Sequence, residues 1–204
     1  MIELRNASLS DLNIIVNLHR DAYPDYLFTS RFTFEMLSSF YRQQIQHADS
    51  NFVVTLNGFD VGVIMGSRGS SNAQKAFIRE NIGGLAVTLL KNPGFLLKKI
   101  GGIIKAKENF KSHYETRLLN ILISEKILKN LIKDRGINVP DNLASFAMEL
   151  FENDLREKNV YSYGLSVDKL NLKALNFYLK IGFRIERIIG DSVFMYKRLK
   201  ESIE

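Results

Sequence analysis

The stretch Leu165-Ser166-Val167-Asp168-Lys169-Leu170-Asn171-Leu172-Lys173-Ala174-Leu175-Asn176-Phe177-Tyr178-Leu179-Lys180-Ile181-Gly182-Phe183 decides the fold. It reads as the end of a strand, a short polar loop, a helix over 172–179, and a Gly-Phe pair that stops the helix and opens a new strand. Residues 160–167 before it have strand composition. After it, 183–189 and 193–199 flank Gly190-Asp191 and predict a closing hairpin. Asn171 and Tyr178 are seven positions apart. That is about two helical turns, so both fall on one helix face or at its start.

Working outward, 116–123 carries Leu118, Leu119, Ile121, Leu122 and Ile123 almost without interruption. A run that is apolar on both faces predicts a central strand covered on both sides. Between it and 160, a short helix is predicted over 127–133, ended by Arg135-Gly136, and a long one from Pro140-Asp141 to Leu155. In the N-terminal half, 2–7 alternates as a strand. Ser8 or Ser10 is placed to cap a helix bearing Leu12, Ile15, Val16 and Leu18, and residues 22–26 read as a loop. Thr33 is placed to cap a second helix with Phe34, Leu37, Phe40, Tyr41 and Ile45 inward. Strands at 52–56 and 61–65 flank Asn57-Gly58, a strong hairpin signal. Residues 74–110 look helical, apolar and basic, as two helices meeting at Asn92-Pro93-Gly94. The succession predicts one α/β (α+β) domain over 1–204, a mixed sheet covered by helices, with a basic helical insertion at about 74–111.

The segment quoted first resembles the signature of the GNAT (GCN5-related) N-acetyltransferases. There a strand ends, Asn follows in the loop, Ala and Tyr sit on the next helix, and Gly-Phe begins the last hairpin. Met195, Lys197 and Leu199 match the family's final strand. The resemblance implies a central sheet splayed between the strands at 117–124 and 161–167, with acetyl-CoA as acyl donor threaded through the gap. It implies main-chain contacts from Asn120, Ile121, Leu122 and Ile123 to the pantetheine amides, a contact from Asn171, and Tyr178 as general acid for the departing thiolate. The acceptor so implied is a small-molecule primary amine. The competing assignments make Tyr178 a core aromatic beside Phe177 and Asn171 a plain helix cap.

One feature departs from the family. Its strand normally leads through a Gly-rich turn into a helix whose N–H groups cradle the pyrophosphate. The matching glycine positions fall on Asn142 and Ala144, and the connection is about ten residues longer than usual. The resemblance still places a cofactor-binding segment at Asn142, Leu143, Ala144 and Ser145, with Asp141 opposing an anion there and Lys129, Lys133 and Arg135 offsetting it.

Charge and composition bound the alternatives. Net charge is +6, which favours anionic partners. Lys91, Lys98, Lys99, Lys105, Lys107 and Lys111 lie among apolar residues of the insertion. They suit a wall for a phosphorylated or nucleotide-linked acceptor, a peripheral contact with an acidic membrane, or simply a solvated helix face. The segment 26–32 together with this insertion resembles GNAT proteins of surface-polysaccharide or amino-sugar pathways, which makes an amino sugar or nucleotide-sugar a candidate acceptor. Asp25, His113, Glu115 and Glu125 are the candidate general bases. The absence of cysteine excludes disulfides, thiolate metal sites and a cysteine nucleophile. The three histidines lack metal-ligand spacing, so no metal is expected. The expected location is cytoplasmic, with no secretory leader and no nucleic-acid partner. Two rivals stay open: a GNAT-fold binding or regulatory protein without catalysis, and a membrane-surface or nucleic-acid binder acting through the insertion.

Overall fold

Asn57 and Gly58 both adopt positive φ, 50° and 80°, the pairing a tight two-residue hairpin needs. They join β2 (Ser50–Leu56) to β3 (Phe59–Arg68), whose antiparallel register runs from Ser50↔Gly66 to Leu56↔Phe59. β1 (Ile2–Asn6) pairs with β2 on the outer side. Arg5 on β1 donates to both Asp11 and Asp60 at 2.9–3.1 Å, fixing the strand to the turn that precedes the first helix. The structure is a computed structural model and describes residues 1–23, 25, 27–68, 71–92, 94 and 114–199.

β4 (Thr116–Ile123), β5 (Ser162–Asp168), β6 (Arg184–Ile189) and β7 (Ser192–Arg198) complete a seven-stranded sheet of order β1-β2-β3-β4-β5-β7-β6. Every neighbouring pair is antiparallel except β4 and β5, which run parallel. The sheet is mixed, as the sequence predicts.

Helices cover both faces. On one lie α1 (Leu12–Ala22), α2 (Phe34–His47) and α3 (Ser71–Glu80), burying Ile15, Leu37, Tyr41 and Phe77 against Val63, Met65 and Leu122. On the other lie α6 (Leu143–Glu157) and α7 (Leu172–Lys180), burying Met148, Phe151 and Tyr178 against Leu118, Tyr163 and Met195. α4 (Ile82–Lys91) follows α3, and α5 (Glu125–Arg135) follows β4.

Thr33 caps α2 as predicted, its hydroxyl accepting from the Met36 N–H at 3.2 Å. The start of α1 differs from the prediction. Ser8 opens a 3₁₀ turn over Leu9–Asp11 and exchanges hydrogen bonds with Asp11, and the α-helix begins only after Asp11. The expected single helix before Asn92 is two, because Asn81 interrupts it. The Asn81 side chain donates to Ser39 Oγ at 2.8 Å and to the Phe77 carbonyl at 3.0 Å, drawing a polar joint onto α2. Lys91 is exposed at the end of α4. Pro93, the second half of the insertion with its remaining lysines, and His113 lie outside the described residues. α5 is longer than predicted: the Ser124 hydroxyl caps it by accepting from the Ile127 N–H, and Gly136, at φ 62°, ends it.

Candidate active site

β4 meets its two neighbours differently. With β3 it pairs from Gly62↔Ile123 to Arg68↔Thr116. With β5 the only registered pair is Arg117↔Gly164, near the start of β4. Beyond that point the strands part, and a wedge opens toward their C-terminal ends. The pinned end is tightly made. A Cβ on Gly164 would sit 3.2 Å from the Met195 carbonyl and 3.5 Å from the Tyr114 ring, which stacks on Tyr196 at 5.1 Å.

The ladder with β3 decides which main-chain groups face the wedge. The Ser124 N–H donates to the Val61 carbonyl at 2.9 Å. Hydrogen-bonded and non-hydrogen-bonded pairs alternate along an antiparallel ladder. Leu122 and Asn120 therefore turn their N–H and C=O groups to β3, and Ile121 and Ile123 turn theirs to the wedge. A β-bulge adds to the asymmetry. Asn120 pairs with Met65 and Leu118 with Gly66, so Leu119 is the extra residue. Leu119 and Asn120 consequently both turn toward α1 and α2. The Asn120 side chain is buried there and donates to Gln44 Oε1 at 3.0 Å.

α6 passes beneath the wedge and touches both sides. The Phe151 ring packs where a Cβ on Gly66 of β3 would lie, 2.5 Å away. At the next position of α6, the Glu152 carboxylate accepts from the Tyr163 hydroxyl of β5 and the Lys197 ammonium of β7, each at 2.6 Å. The N-terminus of α6 lies at the open mouth. The Leu143 N–H donates to the Pro140 carbonyl and the Phe146 N–H to the Asn142 carbonyl, and the Asn142 side chain makes no cap hydrogen bond. Ala144 and Asp141 line the opening, Ser145 is half-buried beside them, and Leu143 is buried below. Lys129, Lys133 and Arg135 do not line it. The Arg135 guanidinium lies 5.7 Å from the Phe59 ring centre, over the β2–β3 hairpin instead.

The wedge leads into a cavity of about 1020 Å³, at the upper end of the range typical for small-molecule sites. Ile121, Leu122 and Ile123 form one wall, Asn171 and Tyr178 another. Asn171 caps α7, with Oδ1 accepting from the Ala174 N–H at 3.1 Å, so its amide Nδ2 is left for the cavity. Asp168 holds the loop ahead of it by accepting from the Leu170 N–H at 2.8 Å. Tyr178 is 8% exposed, wedged against Phe177 and Phe183. Among the described residues no group hydrogen-bonds its hydroxyl. Burial, and secondarily the neighbouring Tyr23, hold this phenol well above its usual pKa. It is therefore protonated at neutral pH, with a proton available for a hydrogen bond.

The third wall comes from the end of α1, which the sequence reading passed over. Tyr23 and Asp21 line the cavity there. Burial pushes the Tyr23 phenol up to about 12. Its ring rests on that of His19, centroids 4.2 Å apart, and His19 Nδ1 shares a 2.8 Å hydrogen bond with the Tyr41 hydroxyl. The fully buried His19 imidazole is pushed down to about 4, chiefly by desolvation. The helical spacing of Leu12, Ile15, Val16, His19 and Tyr23 is the signal that puts Tyr23 on the sheet-facing side.

Of the four candidate bases, Glu125 lines the cavity but is hydrogen-bonded to Lys173, which lowers its pKa. Glu115 lies at the pinned end of β4, and Asp25 is exposed and does not line the cavity.

No family model and no curated protein matches the sequence. Solved structures do match the fold. An acetyltransferase from Thermus thermophilus superposes with a TM-score of 0.60 at 16% identity, over 98% of this chain and 97% of that one. Ard1 from Thermoplasma volcanium gives 0.57 at 19%, over 98% and 99%. The PaiA N-acetyltransferase from Thermoplasma acidophilum, in complex with coenzyme A, gives 0.52 at 15%, over 97% and 99%. This chain thus has the fold of the GNAT N-acetyltransferases.

Proposed function

We propose that the protein transfers an acetyl group from acetyl-CoA to a small primary amine. The observation that carries this reading is the single Arg117↔Gly164 link between β4 and β5, with Tyr178, whose hydroxyl no described residue hydrogen-bonds, lining the cavity the wedge leads into. The donor supplies a thioester carbonyl and a thiolate leaving group. The peptide groups of Ile121 and Ile123 face the wedge and can pair with amides or polarise a carbonyl there. Tyr178 donates to sulfur as the C–S bond breaks. Its raised pKa makes complete proton transfer to a thiolate near 8.5 uphill, so the hydrogen bond to the developing charge is its main contribution. The amine nitrogen forms the new bond to carbon and loses its proton to water.

The fit to the donor is better at one end than the other. The pantetheine arm has main-chain partners on β4 and the Asn171 amide on α7. For the pyrophosphate, the first turn of α6 offers the N–H groups of Ala144 and Ser145. Asp141 stands beside them and works against the anion. That residue favours a second reading, a GNAT-fold binder without turnover.

One experiment separates the two. Thermal unfolding is followed while acetyl-CoA is titrated, and thiol release is then assayed with a panel of primary amines that includes amino sugars. The enzyme reading expects stabilisation of about 2.7 kcal/mol at a hundredfold excess over Kd, together with amine-dependent thiol release. Stabilisation without release on any amine supports the binder. The absence of any shift removes the donor assignment.

A further inference from the structure

Four charged side chains line the cavity among the described residues: Asp21, Glu125, Asp141 and Lys173. Lys173 is committed, since it hydrogen-bonds Glu125. The surplus is therefore acidic, although the chain as a whole carries +6. We infer that the acceptor is a multiply protonated amine without phosphate, and that Asp21 is the counter-ion holding it. This rests on the acetyl-transfer reading for the chemistry, but the charge recognition itself does not need the donor.

The placement of Asp21 supports the role. It sits two residues before Tyr23, on the α1 wall, whereas the donor's phosphates would lie at the N-terminus of α6. Tyr23 in turn is close enough to Tyr178 to raise that phenol's pKa further. A cation held at Asp21 thus shares one cavity with both phenols.

The carboxylate is also loosely occupied. The Ser124 hydroxyl approaches it at 3.4 Å and the Lys126 ammonium at 3.7 Å, both long for hydrogen bonds. The Lys126 side chain is 74% exposed and does not line the cavity, so water screens its charge. Acceptor capacity on Asp21 remains. Independently of any carboxylate, Tyr178, a residue only 8% exposed whose hydroxyl no described residue hydrogen-bonds, lines the same cavity and marks it as one built for a ligand.

The alternative acceptor class meets the wrong field. A phosphate monoester carries between −1.5 and −2 charges at neutral pH, roughly, and would face Asp21 and Asp141 with no free cation on the described walls. An ammonium group gains where the phosphate loses.

The test uses spermine and glucosamine 6-phosphate as probes on the full chain. Spermine binding is measured by calorimetry without donor, for the wild type and for Asp21→Asn and Asp21→Ala. Thiol release from acetyl-CoA is then compared with both probes. The expected result is spermine binding in the wild type that weakens about tenfold in both variants and loses most of its salt dependence. KM for acetyl-CoA is expected to hold, and spermine to exceed glucosamine 6-phosphate in kcat/KM by at least tenfold. Spermine binding equal in wild type and variants overturns the assignment of Asp21, and preferred turnover of the phosphorylated sugar overturns the substrate class. If acetyl-CoA fails to bind while spermine binding still depends on Asp21, the acetyl-transfer reading falls and the cation site stands. Spermine that does not bind the wild type at all rejects the site outright.

Discussion

The two edges of β4 show how one strand serves stability on one side and function on the other. Toward β3 it is laddered from end to end, helped by Gly62, where a Cβ would collide with the Leu122 carbonyl at 2.4 Å. Toward β5 it is held at Arg117 alone, and the peptide groups of Ile121 and Ile123 are left facing a cavity. A buried edge without partners would cost several kcal/mol if it stayed dry. An opening lined by groups that can receive a ligand's amides removes that cost. The contrast is set at the closed end: α6 braces β3 through Phe151 at Gly66 and β5 through Glu152 at Tyr163, level with the Arg117↔Gly164 pair, and the strands part beyond it.

The strongest perturbation of this contrast is to remove the brace. Glu152→Ala leaves the Tyr163 hydroxyl and the Lys197 ammonium without their shared acceptor in a largely buried setting. The expected loss is about 3 kcal/mol, the lower end for a broken buried pair because Lys197 retains some water. Urea unfolding measures it. A loss below about 1 kcal/mol would mean that β5 is held by its ladder with β7 alone.

Next in size is the open side. Tyr178→Phe removes a hydroxyl that no described residue hydrogen-bonds, so stability should stay level while kcat falls about a hundredfold and KM for acetyl-CoA holds. Unchanged kcat would put the phenol back among core aromatics.

The α1 wall supplies the third. His19 titrates near 4 in the fold and near 6.5 in the unfolded chain. As pH falls through 6.5 the unfolded state takes up the proton first, so folding weakens until the native imidazole titrates near 4. The expected loss is about 2 kcal/mol between pH 6.5 and 5. Asp11, Glu35, Glu80 and Glu125, whose pKa values lie below the ordinary carboxyl range, lose their contribution only at still lower pH. His19→Gln should therefore flatten the melt series above pH 5. A slope that persists in the variant would assign the loss elsewhere.

The same contrast explains what the sequence could disclose. β4 was legible as a central strand because its residues are apolar on both faces, and the 165–183 segment because Asn171, Tyr178 and Gly182 mark a cap, a helix face and a stop. Gly182 does adopt φ 95° at that stop. The phase of β4 was not legible. Whether Ile121 or Leu122 faces the gap depends on the bulge at Leu119, which appears only in the pairing of β4 with the distant β3. Asp21 and Tyr23 were not legible for a related reason. Helical spacing gives Tyr23's side of α1, but only the long-range fold brings the end of that helix, Asp21 included, to the cavity. Asn81 interrupted a helix through bonds to Ser39, forty-two positions away, which local propensity does not register.

The smallest expected effect probes the donor's charged end, where Asp141 lies beside the first turn of α6. Its carboxylate interacts favourably with the helix N-terminus and unfavourably with a pyrophosphate at the same place. Asp141→Asn should therefore move two quantities in opposite directions. Stability without ligand should fall by about 0.5 kcal/mol, the typical worth of an exposed acid close to a helix N-terminus. Acetyl-CoA should bind about threefold more tightly at low salt, a gain that fades as salt screens the repulsion. Pantetheine, which lacks the phosphates, should bind wild type and variant alike. If the variant tightens both ligands equally, Asp141 acts on the wedge and not on the anion. If it weakens acetyl-CoA, the phosphates lie elsewhere, and the α6 N-terminus belongs with the bracing of the sheet.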